Sequence, residues 1–291
     1  MTNKITYLIG VDGGGTGTRV AVADCNGIEL ARGSAGPSGL INGADFAWNS
    51  ILSAITAAFL SVDKAVPAFS QMAIGLGLAG VHNKQWAALF AEKNPGFARL
   101  ELATDAYTTV LGAHQGCPGG MVAIGTGSVG EALLADGSRC EVGGWGFPCG
   151  DEAGGAWLGL RAVNHVQQVV DGRAQGSAFS DAVIKHCGGN RDGLFAWLAA
   201  ANQGSYAQLA PLVIVHANQE DNPVVEQIMQ EAGLEIVKIA LALDKTNTLP
   251  IALCGGLAKS LEKYLPASLL NRIVPPHGDS AAGALLLIKK S

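Results

Sequence analysis

The sequence predicts an α/β fold of two related domains with a cleft between them. Three observations point to it. A strand, a Gly/Thr turn, a strand, a hairpin and a return strand occur from 5 to 33, and again from 121 to 142. Apolar runs of strand length alternate with segments of helical periodicity. The chain has 291 residues, 48% hydrophobic and 15% charged, which suits about two buried cores.

Taken in order, 5–11 reads as a buried strand. Asp12-Gly13-Gly14-Gly15-Thr16-Gly17 reads as a turn and 18–24 as a second strand. Asn26-Gly27 is a hairpin signal, and 28–33 returns. Phe46, Ile51, Ile55 and Phe59 mark a helix over 44–60. A strand at 71–79, a helix at 84–92 and a strand at 99–103 follow. Thr104-Asp105 then opens a helix toward His114.

The pattern restarts with a strand at 121–125, the turn Thr126-Gly127-Ser128, a strand at 129–135, the turn Asp136-Gly137 and a return at 138–142. A helical region runs from about 151 to 244, broken near 172–177, 188–190 and 218–223. A strand at 250–254, Gly255-Gly256, a helix, a strand near 272–274 and a last helix from Asp279-Ser280 complete the chain. The duplication is weak and is no solenoid repeat. It places a boundary in the Gly/Pro-rich stretch 115–120. The expected domains are 1–117 and 118–291, the second with a helical insertion. The final helix, about 279–290, is expected to pack back on the first.

Composition excludes several classes. The net charge is −5, and no basic run exceeds Lys289-Lys290, so a nucleic-acid footprint is absent. No apolar stretch approaches the roughly 20 residues of a transmembrane helix. The first residues lack a signal-peptide core. Six Cys are scattered without C-x-x-C, which disfavours a disulfide scaffold or zinc ribbon and suits reduced thiols in a cytoplasm. A homodimer is compatible with the sequence.

Two Gly/Thr loops carry the chemistry. In Asp12 to Thr18, three consecutive glycines remove every Cβ between two strands, so backbone N–H groups and Thr hydroxyls can approach an anion. The loop lacks the lysine of a Walker A motif, and a strand rather than a helix follows it. Gly125-Thr126-Gly127-Ser128 stands at the equivalent point of the second unit. Such a pair suits a polyphosphate whose charge is largely offset by Mg²⁺. Asp12 reads either as a Mg²⁺ ligand through water or as an Asx-turn residue. Asp105 reads either as a helix N-cap or as a base that takes a proton from a substrate hydroxyl.

Gly143-Gly144-Trp145-Gly146-Phe147-Pro148-Cys149-Gly150-Asp151-Glu152 offers an aromatic face for a sugar and carboxylates for its hydroxyls. The alternatives are a core Trp145 and helix-capping acids. Gly255-Gly256 suits either adenosine against backbone or close strand–helix packing. Asp279 reads as a cap of the last helix.

These motifs, in this order, resemble the N-acetylglucosamine kinase and bacterial glucosamine kinase group. That group lies within the BadF/BadG/BcrA/BcrD ATPase family and the actin/hexokinase/Hsp70 superfamily. The resemblance spans about residues 5 to 288. It implies two ribonuclease H-like (actin-like ATPase) domains, and transfer of a phosphoryl group from ATP, with Mg²⁺, to the 6-hydroxyl of an amino sugar. By position, it implies Asp105 as the catalytic base. Asp12, Gly13, Gly14, Gly15, Thr16, Thr18, Thr126 and Gly127 fall on the phosphate loops, and Gly255 and Gly256 on the adenosine motif. Asp105, Ser128, Val129, Gly144, Trp145, Gly146 and Asp151 fall on the sugar site. Mammalian members carry a sugar-contacting Asn near Gly39 and another at Val129; here Asn42 lies three residues beyond Gly39. The look is nearer the bacterial glucosamine kinases, with amine and acetamide both left open. The alternatives on this fold are an ATPase activator of a 2-hydroxyacyl-CoA dehydratase and a non-catalytic sugar sensor.

Overall fold

The computed structural model describes residues 4–218 and 222–290. The chain divides into two compact units. Unit 1 comprises residues 1–119, 132–139 and 275–291; unit 2 comprises 120–131 and 140–274.

Unit 1 contains β1 (Tyr7–Gly13), β2 (Thr18–Asp24), β3 (Glu29–Ala35), α1 (Ala44–Leu60), β4 (Met72–Leu78), α2 (Lys84–Glu92), β5 (Arg99–Ala103) and α3 (Asp105–Ala113). The sheet order is β3-β2-β1-β4-β5, with β1 antiparallel to β2 and parallel to β4. Alternation along β1 explains the layering. Ile9 and Val11 join Ile51, Ile55 and Phe59 of α1 in the main core. Leu8, Gly10 and Asp12 face the other side.

Unit 2 holds most of β6 (Gly119–Ile124), β7 (Ser128–Leu133) and β8 (Arg139–Gly143), the 132–139 hairpin between the last two being assigned to unit 1. Its helices are α4 (Gly155–Val170), α5 (Ala178–His186), α6 (Arg191–Ala200), α7 (Gln203–Ala207), α8 (Ala210–Ala217) and α9 (Pro223–Leu243). Then come β9 (Ile251–Cys254), α10 (Ala258–Leu261), α11 (Ala267–Leu270) and β10 (Ile273–Val274); α12 (Ser280–Lys290) returns to unit 1. The second sheet has the order β10-β9-β6-β7-β8. Two five-stranded α/β sheets with flanking helices are thus present. Among the described residues no helix is long and apolar enough to cross a membrane.

The small residues of α12 let it lie directly on the first sheet. A Cβ added at Gly10 would stand 2.2 Å from the Ala281 carbonyl oxygen, and one at Gly75 would stand 2.1 Å from that of Ala284. Gly10 and Gly75 are cross-strand partners, so one glycine pair admits the helix backbone and brings the start of α12 beside the end of β1.

The structure corrects several details. β1 continues through Asp12 and Gly13, which pair with Arg19 and Thr18; the turn is confined to 14–17. α4 begins at Gly155 rather than at about 151, because Asp151 and Ala153 adopt positive φ of 61° and 66°, outside the helical region. Phe46 is 47% exposed and lies off the buried face of α1. A five-residue step to Ile51 rotates it about 140° away, and Ala47 and Trp48 are buried instead.

Candidate active site

In unit 1, the antiparallel ladder places Asp12 at the end of β1, on the face that carries α12. The Ser280 hydroxyl lowers the pKa of the Asp12 carboxylate, and Ser280 Oγ lies 2.8 Å from Thr108 Oγ1 of α3. Across the ladder, Arg19 Nη1 is 3.5 Å from Asp12 Oδ2 and remains 71% exposed. Burial raises the Asp12 pKa above the ordinary carboxylate value. Arg19 and Ser280 work against that rise, while the negative charges of Asp105 and Asp279 add to it. Asp12, Asp105 and Asp279 therefore form one electrostatic group.

Asp105 does not cap its helix. Thr104 is the N-cap and accepts the Tyr107 N–H at 3.1 Å; Asp105 is the first helical residue, its Oδ1 3.0 Å from the Ala106 N–H. A carboxylate there suits the positive end of the helix dipole. Asp279 does cap α12, accepting the Ala282 N–H at 2.9 Å, and Arg32 donates to its other oxygen. Burial raises its pKa, but Arg32 and the Ala282 N–H outweigh this and hold it below the usual range.

The 14–17 turn is closed by Gly14 N–H to Gly17 carbonyl at 3.0 Å, and Thr16 is exposed at its tip. Thr18 is only 1% exposed. Its Oγ1 lies 2.6 Å from the Gly36 carbonyl and 2.7 Å from Ser38 Oγ, so it braces the following loop. Gly39 lies under the turn, its N–H donating to the Gly14 carbonyl at 3.1 Å. A Cβ at Gly13 would overlap Ser38 Oγ at 2.2 Å.

Unit 2 repeats the turn. Gly125 N–H bonds the Gly127 carbonyl at 2.9 Å, with Thr126 exposed. The N-terminal amides of α4 close it from behind: Gly155 N–H donates to the Gly125 carbonyl at 2.8 Å and Ala156 N–H to that of Thr126 at 2.9 Å. Gly127 makes room for Asp151, whose Oδ2 would lie 2.2 Å from a Cβ there. Asp151 is buried and does not cap α4. Its carboxylate accepts from Gly146 N–H at 3.3 Å and Gln203 Nε2 at 2.9 Å. Burial raises its pKa, while the Gly146 and Gln203 bonds partly oppose the rise. Ser128 is buried and donates to the Glu152 carbonyl. Trp145 is 86% exposed, so it is no core residue. It stands between Gly144 and Gly146 in the chain, and Val129 Cγ2 would be 3.1 Å from a Cβ built at Gly144.

Spare glycines distinguish the loops. Most glycines here have positive φ or sit where a Cβ would meet a neighbour. Among the described residues without positive φ, Gly14, Gly15, Gly36, Gly125 and Gly256 are the five where a built Cβ would meet nothing within 4 Å, while Gly17, Gly39 and Gly176 would make only ordinary contacts at 3.5–3.6 Å. Four of the five lie in the three loops singled out by the sequence. Gly255 differs: its φ is 91°, and a Cβ would stand 2.3 Å from the Ile124 carbonyl oxygen, so the fold itself requires it.

Sequence reasoning missed Arg19, Gln203 and the influence of Ser280 on Asp12. Extending β1 by two residues would have put Arg19 opposite Asp12. Gln203 lies 52 positions from Asp151 and has no local signal.

A glucosamine kinase of Vibrio cholerae is 32% identical over 98% of this chain and 97% of its own. An N-acetyl-D-glucosamine kinase of Dictyostelium discoideum is 26% identical over 95% and 97%. A crystal structure from Chromobacterium violaceum, provisionally described as an N-acetylglucosamine kinase, is 50% identical with a TM-score of 0.94, covering 98% of this chain and 99% of that one. Residues 9–287 match the BadF/BadG/BcrA/BcrD ATPase family, and the chain belongs to that family.

Proposed function

We propose that the chain is an ATP-dependent kinase that phosphorylates the 6-hydroxyl of an amino sugar, glucosamine or N-acetylglucosamine. The observation that carries this reading is the bare backbone at Gly14, Gly15, Gly125 and Gly256, glycines that neither φ nor packing requires, the first three in turns that adjoin Asp12 and Asp151. Bare backbone at strand ends is what a polyphosphate and a nucleoside need for close approach. The relatives named above supply the sugar class.

ATP supplies the phosphoryl group, and Mg²⁺ neutralises charge as it transfers. Gly13, Gly14, Gly15 and Thr16, with Thr126 and Gly127, are assigned to the phosphates, and Gly255-Gly256 to the adenosine. Thr18 acts behind them by holding the 36–38 loop. Asp12 fits a cation bound through water. Its buried charge lies among other carboxylates with Arg19 as the facing cation, an arrangement that a divalent ion relieves. Among the described residues no three His, Cys, Asp or Glu side chains are grouped to bind a metal by themselves, so phosphate and water complete the shell.

Ser128, Val129, Gly144, Trp145, Gly146 and Asp151 are assigned to the sugar. The exposed Trp145 indole offers the ring an apolar face, and the Gln203 bond fixes Asp151 for its hydroxyls. Asp105 orients the 6-hydroxyl and accepts its proton, with the nucleophile held in line for a loose transition state.

The 6-deoxy analogue of the accepted sugar tests the position of transfer. It is expected to compete with the sugar yet form no phosphorylated product. Phosphorylation of the analogue would contradict transfer to the 6-hydroxyl.

A further inference from the structure

Arg139 lies at the end of the turn between β7 and β8, and within unit 1 it meets the first turn of α3. Its guanidinium stands 3.7 Å from the centre of the Tyr107 ring, and its Nη2 donates to Thr104 Oγ1 at 3.3 Å. Thr104 Oγ1 also accepts the Tyr107 N–H at 3.1 Å. The three residues therefore close a ring of contacts: Arg139 to Thr104, Thr104 to the Tyr107 backbone, and the Tyr107 ring to Arg139. Asp105 is the acidic residue of that turn, flanked in sequence by Thr104 and two residues from Tyr107.

Helix stability does not account for this arrangement. A cation at a helix N-terminus opposes the macrodipole, and an exposed guanidinium gives up rotamer freedom to stay in one place. Stacking on Tyr107 recovers part of that cost. What the arrangement secures is the geometry of the turn that carries the Asp105 carboxylate.

We propose that Arg139 is a positioning residue for the phosphotransfer. It clamps both sides of Asp105 and so holds the carboxylate in line with the sugar hydroxyl whose proton it accepts. This rests on the reading of Asp105 as the base. A displacement of about 1 Å at a reacting group can cost about 10²-fold in rate, so the clamp bears on turnover more than on binding.

The test is kcat and KM for ATP and for the amino sugar in the wild type, Arg139→Ala, Arg139→Lys, Tyr107→Leu and the Arg139→Ala/Tyr107→Leu double variant. Arg139→Ala should lower kcat about tenfold to a hundredfold with both KM values and the melting temperature little changed. Arg139→Lys keeps a cation over the ring without the planar fork and should recover part of the loss. The double variant should be no slower than the slower single one, since both remove one clamp. A wild-type kcat in Arg139→Ala, a loss confined to KM, or additive losses would overturn the proposal. A wild type without sugar-dependent turnover would overturn the kinase reading and this one with it. Wild-type turnover matched by Arg139→Ala overturns this one alone.

Discussion

Asp105→Asn is expected to lower kcat by about 10²–10⁴-fold, the usual contribution of a positioned base, while ATP and the amino sugar still bind. The geometry makes the substitution clean. Thr104 caps α3, not Asp105, so the helix start survives the change. The loss of a first-turn charge costs about 0.3–1 kcal/mol of stability. Asn keeps the shape and the carbonyl that meets the Ala106 N–H, but it cannot take a proton. Ligand-induced thermal shifts should match those of the wild type, and single-turnover phosphorylation should be slow. An Asn variant with near-normal turnover would remove Asp105 from the mechanism.

Asp244→Asn should destabilise the protein by about 3–5 kcal/mol, the range for breaking one side of a buried ion pair. Asp244 follows α9 and organises the turn into β9. Its carboxylate accepts the Thr246, Thr248 and Leu249 N–H groups at 3.0, 2.7 and 2.7 Å and the Arg272 Nη2 at 2.9 Å. The Asp244 and Arg272 side chains are only 5% and 12% exposed. Burial opposes the charge, but the Thr246 hydroxyl and the three amides outweigh it and pull the pKa from 3.8 to about 2. A folded-state pKa below the unfolded one means that the charged carboxylate stabilises the fold above about pH 4, and that this contribution fades as pH falls toward 2. The variant should therefore lose stability at neutral pH and show a shallower acid dependence between those limits. Chemical denaturation at pH 7 and pH 3 measures both. A neutral-pH loss below about 1 kcal/mol would show the network to be dispensable. Because β9 leads into Gly255-Gly256, a weakened turn should also disturb the segment assigned to adenosine.

Local pattern sufficed for much of the fold. α1 and α2 occupy 44–60 and 84–92, where helical periodicity placed them. β2 and β5 occupy 18–24 and 99–103, bounded by the Gly-rich turn and by Thr104-Asp105. The first loop was readable because three consecutive glycines are rare without a reason, and the second because it recurs at the equivalent point of the second unit. Where reading failed, the cause was either adjacency or distance. Thr104 and Asp105 are both good caps, and only backbone geometry chooses between them. Asp12 looked like a turn residue because the cross-strand ladder that holds it depends on register with Arg19. Trp145 was ambiguous because composition does not reveal which face of a Gly-rich loop meets water. The contacts of Asp151 with Gln203 and of Arg139 with Tyr107 join residues far apart in sequence, and no periodicity announces them.

The most direct test of the central claim is ADP formation with glucosamine, N-acetylglucosamine, glucose and no sugar in parallel, each with ATP and Mg²⁺. The account predicts ADP that depends on one of the two amino sugars, with little or none from glucose or without sugar. That result would also decide between amine and acetamide, the question raised by Gly39 and Val129. ADP formed equally without sugar, or none with any of the three, would contradict it.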